Sequence, residues 1–217
     1  MEIAVILSGG SGARFGKALP KQYHTLCGRE VIAYSVDAMQ KSCEIDAVIV
    51  AADPEHVERL TQTYGVTSIN SGPTRNGTIW NCLEYIKTKY PACEKILINE
   101  AARPFITAEI IDDYFRCLDD YDAVITAQHI TDSLGREGEA ITNRSEYYLI
   151  QAPEAFRFDY LYRHFKADSP ITATVQQLPP DRRVKKNYDF KHNMKITYPE
   201  DLHIAEILME QLRGKRT

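Results

Sequence analysis

The chain has no C-x-x-C pair. Its five cysteines (Cys27, Cys43, Cys82, Cys93, Cys117) are odd in number and widely spaced. That argues against a disulfide framework and for reduced thiols in a cytosolic protein. The six histidines show no metal spacing. No apolar run approaches the roughly 20 residues of a membrane span, and no secretion signal precedes the first apolar segment, because Met1-Glu2 leads straight into it. Basic residues are not in excess. The net charge is -4, so bulk nucleic-acid binding is not indicated and any anion site must be a local gathering of cations. Internal repeats and low-complexity segments are absent, as is any Ser-His-Asp or Cys-His arrangement for nucleophilic catalysis. What remains is an ordinary globular composition whose 217 residues suit one α/β domain with room for an excursion.

Two familiar phosphate loops are also missing. G-x-x-x-x-G-K-[ST] fails because Gly16-Lys17 has Ser11 at the first glycine and Ala18 where Ser or Thr belongs. G-x-G-x-x-G fails because Phe15 takes the third glycine's place. What stands there is Leu7-Ser8-Gly9-Gly10-Ser11-Gly12-Ala13-Arg14-Phe15-Gly16, followed by Pro20-Lys21-Gln22-Tyr23. The run Ile3 to Leu7 reads as a buried parallel strand. Glycines after it let a ligand approach the main chain, whose successive N–H groups can form an anion-binding concavity. Arg14 and Lys21 add a planar fork and a flexible point charge. Together they suggest a polyphosphate site. Without the two cations, the glycines alone would read equally well as a plain β-turn.

The rest alternates. A helix is expected over Gly28 to Gln40, a strand over Ala47 to Ala52, a helix from the Asp53 cap and Pro54 to about Tyr64 with Gly65 as its stop, and a short strand over Val66 to Ile69. Ser71 to Ile79 reads as a second polar glycine loop, feeding a helix over about Thr78 to Tyr90. A strand over Lys95 to Ile98 ends in Asn99-Glu100-Ala101-Ala102-Arg103-Pro104, then comes a helix capped by Thr107 and a strand over Asp122 to Ala127. Gln128 to Tyr147 alternates polar and apolar residues and reads as a β-hairpin arm leaving the sheet, with a second subunit as the simplest cover for its apolar face. After Tyr148 to Phe156, a helix (Phe158 to Ala167), a short helix opened by Pro170, an edge strand within Val184 to Phe190 and a closing helix after Pro199-Glu200-Asp201 complete the chain. The β-α-β-α-β order implies a parallel sheet with helices on both faces. Ligands of such sheets sit outside the carboxyl ends of the strands, where Ser8–Lys21, Ser71–Thr78 and Asn99–Arg103 should meet.

Several of these segments, in order and across nearly the whole chain, resemble cytidylyltransferases acting on 2-C-methyl-D-erythritol 4-phosphate or on ribitol 5-phosphate. The glycine turn with Arg14 and Pro20-Lys21 is similar to their nucleotide loop. Glu100-Ala101-Ala102-Arg103-Pro104 resembles their acidic-Ala-x-Arg-Pro, and Gln151-Ala152-Pro153-Glu154-Ala155-Phe156 their Gln-Thr-Pro-Gln-x-Phe. Asn193-Met194-Lys195-Ile196-Thr197 with Pro199-Glu200-Asp201-Leu202 resembles their C-terminal lysine motif. Arg75-Asn76-Gly77-Thr78-Ile79 and Arg103-Pro104-Phe105-Ile106-Thr107 lean toward the ribitol branch. The departures gather in the acceptor half. Glu100 stands for the usual Asp, Glu154 for Gln, and Thr172-Ala173-Thr174-Val175 for Thr-Asp-[Asp/Glu]-Ala, with both carboxylates gone.

The resemblance implies a Rossmann-like nucleotidyltransferase fold of the glycosyltransferase-A kind: a mostly parallel mixed sheet with helices on both faces, in one domain carrying a protruding β-arm at about 128–149 used in dimerisation. It implies CMP transfer from CTP to a polyol phosphate in the cytoplasm, with Mg²⁺, in a homodimer, for isoprenoid or teichoic-acid synthesis. The catalytic set it implies is Arg14, Lys21 and Lys195. Nucleotide contacts fall on Leu7, Ser8, Gly9, Gly10, Ser11, Gly12, Gly72, Arg75, Thr78 and Ala101. Acceptor contacts fall on Glu100, Arg103, Ser133, Arg144 and Thr172, with Glu100 also the candidate Mg²⁺ ligand. A phosphate monoester is mostly dianionic near neutral pH, so attack on the α-phosphorus needs charge neutralisation and alignment more than a base. Second roles stay open at several positions. Thr78 also reads as a helix cap, Arg103 as a brace for its own loop, and Arg144 and Lys195 as solvated surface charges. A non-catalytic or differently specific nucleotide binder on the same fold is the competing function.

Overall fold

The computed structural model describes residues 1–10, 15–16, 18–138 and 142–214. Ser11, Gly12 and Arg14, all expected in the site, therefore lie outside the described residues. The strand β1 (Glu2–Ser8) is followed by a short 3₁₀ turn at Lys21–Tyr23, a small ribbon of β2 (Thr25–Leu26) and β3 (Arg29–Glu30), and the helix α1 (Val31–Lys41). Then come β4 (Ala47–Ala52), α2 (Pro54–Tyr64), β5 (Thr67–Asn70), α3 (Arg75–Lys89), β6 (Lys95–Glu100), α4 (Ala108–Cys117) and β7 (Ala123–His129). The chain closes with β8 (Tyr148–Arg157), α5 (Phe158–His164), β9 (Val184–Asn187) and α6 (Glu200–Gly214). Seven strands form one sheet in the order β5-β4-β1-β6-β8-β7-β9. β8 is antiparallel to both its neighbours, and the other pairings are parallel.

Strand periodicity of two divides the core. Ala4, Ile6, Val50 and Leu97 face one side, where α1, α2 and α4 supply Ile32, Val36, Leu60 and Phe115. Ile3, Val5, Ile49, Ile96 and Ile98 face the other, against Ile79, Leu83 and Ile86 of α3 and Leu161 of α5. Burial on both faces explains why β1 and β4 read as unbroken apolar runs. A third cluster joins Ala205 and Met209 of α6 to Phe15, Leu26, Phe105 and Ile196. It anchors the C-terminal helix beneath the two loops that flank the sheet's carboxyl edge.

Some expected boundaries move. α3 begins at Arg75, three residues earlier than expected, because the Thr74 hydroxyl caps it by accepting from Gly77 N–H at 2.9 Å. Asp53 precedes α2 but makes no capping hydrogen bond; its Oδ1 accepts from Ser71 Oγ at 2.8 Å and ties the exits of β4 and β5 together. α2 ends at Gly65 in the left-handed conformation, as expected. α5 ends before the expected Ala167, at His164, and Pro170 opens no α-helix: the next turn is 3₁₀, at Thr174–Gln177. The expected arm is a hairpin only at its base, where Gln128 pairs with Leu149 and His129 with Tyr148. Between these, the described residues show just a 3₁₀ turn at Arg144–Glu146, since Gly135, Gly138 and the acidic residues around them interrupt the alternation a ladder needs. β8 carries a bulge. Ile125 pairs with Glu154 and Thr126 with Gln151, leaving Ala152-Pro153 extra in a central strand where proline could not donate to the ladder.

Candidate active site

Parallel register brings the strand exits level. Ser8 pairs with Ala52, Ala52 with Asn70, and Leu7 with Glu100. Two close approaches hold the exits together. A Cβ on Gly9 would sit 2.4 Å from Ser71 Cβ, and one on Gly72 would sit 2.5 Å from the Gly77 carbonyl carbon. Neither position can carry a side chain without displacing its neighbour. Thr78 clamps the second contact. Its hydroxyl accepts from Gly72 N–H at 3.0 Å and lies 2.9 Å from the Thr74 carbonyl. Thr78 therefore does not cap α3; it sits inside the helix, buried, shaping the Gly72 turn.

Above these exits opens a cavity of about 440 Å³, a size usual for small-molecule sites. Leu7, Ser8, Gly9, Gly10, Gly72, Arg75, Thr78 and Ala101 of the expected nucleotide set line it, together with Lys21, Lys195 and Glu100. Lys21 reaches it because the turn that carries it is tied back to β1. Gln22 Nε2 donates to the Ser8 carbonyl at 2.6 Å, and Tyr23 Oη lies 3.0 Å from Ser8 Oγ. Among the described charged side chains of the lining, Lys21, Arg75 and Lys195 face a single carboxylate, Glu100. A chain that is acidic overall thus presents a local cationic surface, as a polyphosphate requires.

Glu100 organises the far end of this cavity. Its Oε2 is 2.8 Å from Lys195 Nζ and 3.1 Å from Arg103 Nε, and its Oε1 is 3.6 Å from Arg75 Nε. Burial alone would raise its pKa, but Lys195, then Arg103 and Arg75, override that and hold it down to about 2. Arg103 is itself buried. Its Nη1 donates to the Asn193 carbonyl at 2.9 Å, while Ile196 N–H donates to the Ala102 carbonyl at 2.9 Å. These two bonds dock the 193–197 segment and so place Lys195. Arg103 thus braces its own loop against the 193–197 segment.

The polar contacts behind the site are not visible in the sequence, although Asn99, Gln151 and Asn193 stand in segments singled out there. Asn99 and Ser35, both fully buried, form a chain from Asn99 Nδ2 to Ser35 Oγ at 3.2 Å and on to the Arg103 carbonyl at 3.2 Å. Asn193 Nδ2 donates to Gln151 Oε1 at 2.9 Å and to the Ala152 carbonyl at 2.7 Å. A polar residue in an otherwise apolar strand was the available cue for Asn99. Other expected contacts stay outside the cavity. Thr172 is linked to it only through Arg75, whose Nη1 donates to the Thr172 carbonyl at 2.6 Å. Ser133 and Arg144 are exposed on the β7–β8 connection, where Arg144 donates to the Thr131 carbonyl.

Glu100, the expected Mg²⁺ ligand, is engaged by three cations, and among the described residues no three His, Cys, Asp or Glu side chains gather. The five thiols are free, and no described helix is long and apolar enough to cross a membrane.

A mostly parallel sheet whose carboxyl edge carries a glycine turn and converging cations defines a nucleotidyltransferase of the Rossmann-like kind. The family model for 2-C-methyl-D-erythritol 4-phosphate cytidylyltransferase matches residues 2–211. The chain belongs to that family. It is 31% identical to the 2-C-methyl-D-erythritol 4-phosphate cytidylyltransferase of Prosthecochloris aestuarii, over 97% of this chain and 98% of that one. It is 28% identical to the bifunctional ribulose 5-phosphate reductase/CDP-ribitol pyrophosphorylase of Haemophilus influenzae, over 96% of this chain and 48% of the longer relative. Among solved structures, 4-diphosphocytidyl-2C-methyl-D-erythritol synthase from Anaerococcus prevotii superposes with a TM-score of 0.82 at 24% identity, covering 96% of each chain. The 2-C-methyl-D-erythritol 4-phosphate cytidylyltransferase of Thermus thermophilus gives 0.76 at 22%, covering 97% of this chain and all of that one. The expected fold and enzyme class are therefore both met.

Proposed function

We propose that the protein transfers CMP from CTP to the phosphate of a small polyol phosphate, with 2-C-methyl-D-erythritol 4-phosphate the first acceptor to try and ribitol 5-phosphate the second. An acceptor phosphate oxygen bonds to the α-phosphorus of CTP, the bond from that phosphorus to the β-phosphate bridge breaks, and pyrophosphate leaves with the electron pair. The observation that carries this reading is the convergence of Lys21, Arg75 and Lys195 on one cavity at the exit of β1. Lys21, with Arg14, holds the triphosphate and stabilises charge at the α-phosphate. Lys195, fixed by Glu100, meets the incoming acceptor phosphate. Leu7, Gly9, Gly10, Gly72 and Ala101 present main chain to the nucleotide. Magnesium in this reading arrives on the phosphates, keeping most of its waters, and Glu100 keeps its ion pairs.

The same reading makes the protein a cytoplasmic homodimer, in which the 130–147 connection brings Ser133 and Arg144 to the partner's acceptor end. Exposed Tyr147 and Leu149 beside that connection supply apolar surface for such a contact. The test combines CTP, Mg²⁺ and each acceptor and follows pyrophosphate. Release with neither acceptor, while CTP still binds, would leave a non-catalytic nucleotide binder instead. Sedimentation at micromolar concentration reads the oligomer.

A further inference from the structure

Glu154 is a carboxylate 2% exposed, just past the bulge in β8. It sits two residues before Phe156, on the sheet face that packs α3 and the 174–177 turn. Three donors converge on it. Oε1 accepts from Thr174 N–H at 3.3 Å and from Arg75 Nη2 at 3.4 Å, and Oε2 accepts from Val175 N–H at 3.0 Å. Arg75 holds the same segment from its other side, donating through Nη1 to the Thr172 carbonyl at 2.6 Å and to Thr174 Oγ1 at 3.3 Å. Its Nε reaches toward Glu100, the carboxylate that fixes Lys195.

We infer that Glu154 is a positioning residue: it locks Arg75, which lines the cavity, onto the 172–175 segment behind it, so that acceptor binding depends on it more than CTP binding does. This rests on the cytidylyltransferase reading. The charge arrives from β8 because the segment has none of its own. A glutamine at 154 keeps the shape but has one acceptor oxygen. Either orientation of its amide turns an N–H against an N–H of the segment or of Arg75, and a buried donor without an acceptor is costly.

The test is Glu154→Gln, alone and with Thr174→Asp, which returns a carboxylate to within reach of Arg75. Pyrophosphate release gives KM for CTP and for whichever of the two acceptors the wild-type chain uses, and hydrogen exchange follows residues 172–177. Expected for the single variant is an acceptor KM raised about tenfold or more, the equivalent of one lost charge-assisted hydrogen bond. The CTP KM stays within about threefold, well under that loss, and exchange over 172–177 quickens about tenfold. Adding Thr174→Asp should recover part of the acceptor KM. Unchanged exchange, equal rises in both KM values, or a double variant no better than the single one would each overturn the proposal. If the wild-type chain turns over neither acceptor, the functional reading has failed, and the exchange rates alone then decide whether Glu154 holds the segment.

Discussion

Glu100 and Lys195 belong to distant parts of the chain, yet Glu100 Oε2 lies 2.8 Å from Lys195 Nζ. The contact exists because Arg103 and Ala102, on the turn after β6, bond the main chain of Asn193 and Ile196. A lysine that would wander on a flexible stem is thereby held at the cavity's end.

Lys21→Ala and Lys195→Ala should each lower kcat about 10²–10³-fold, the usual cost of removing one group that stabilises transition-state charge. Steady-state pyrophosphate release measures this. A loss of less than about threefold in both variants, far below that range, would take these lysines out of the chemistry.

Acid should loosen the protein through Glu100. Its carboxyl is held at about 2 against an ordinary 4.5, so the ionised group's contribution is full above about 4.5. It is lost progressively as pH falls from there toward 2. The amount is about 3 kcal/mol, from the displacement in pKa. Urea unfolding of the wild type and of Glu100→Gln, compared between pH 6 and pH 3, should show the variant's stability changing less over that interval. Parallel curves would refute the assignment.

Gly72→Ala should destabilise the fold by about 1–3 kcal/mol, as overpacking does, because the added carbon meets the Gly77–Thr78 main chain of α3 rather than a movable side chain. Differential scanning calorimetry gives the stability change, and CTP titration should show weakened binding. A variant as stable as the wild type would mean that α3 can shift freely.

Chelation should separate function from folding. If Mg²⁺ is carried by the nucleotide, EDTA abolishes turnover but leaves the melting temperature of the CTP-free protein unchanged, since an ion that does not bind the native protein cannot stabilise it. A lower melting temperature on chelation would point to a protein-held metal.

Much of the site was legible because it depends on local backbone chemistry. Gly9, Gly10 and Gly72 mark places where chains or ligands come close, and the alternation of β1, α1, β4, α2 and β5 fixes which ends of the strands they occupy. Arg75 lines the cavity, but its partners have no mark in the sequence. Thr74, rather than a later residue, starts α3, and this swings Arg75 onto the first helical turn, facing Thr172 and Glu154. Asp53 had the form of a helix cap, and only the packing of the β5 exit beside it shows that Ser71 claims its carboxylate.

The order of residues alone determined the α/β alternation, the position of the glycine turn and the chemical kind of ligand it could hold, since periodicity and backbone freedom are properties of neighbours along the chain. Tertiary structure decided which charges pair: Glu100 with Lys195 and Arg103, and Glu154 with Arg75. Those choices depend on distances of a few ångströms between segments far apart in sequence, where Coulombic energy in a partly buried site changes steeply with separation and no local pattern records it.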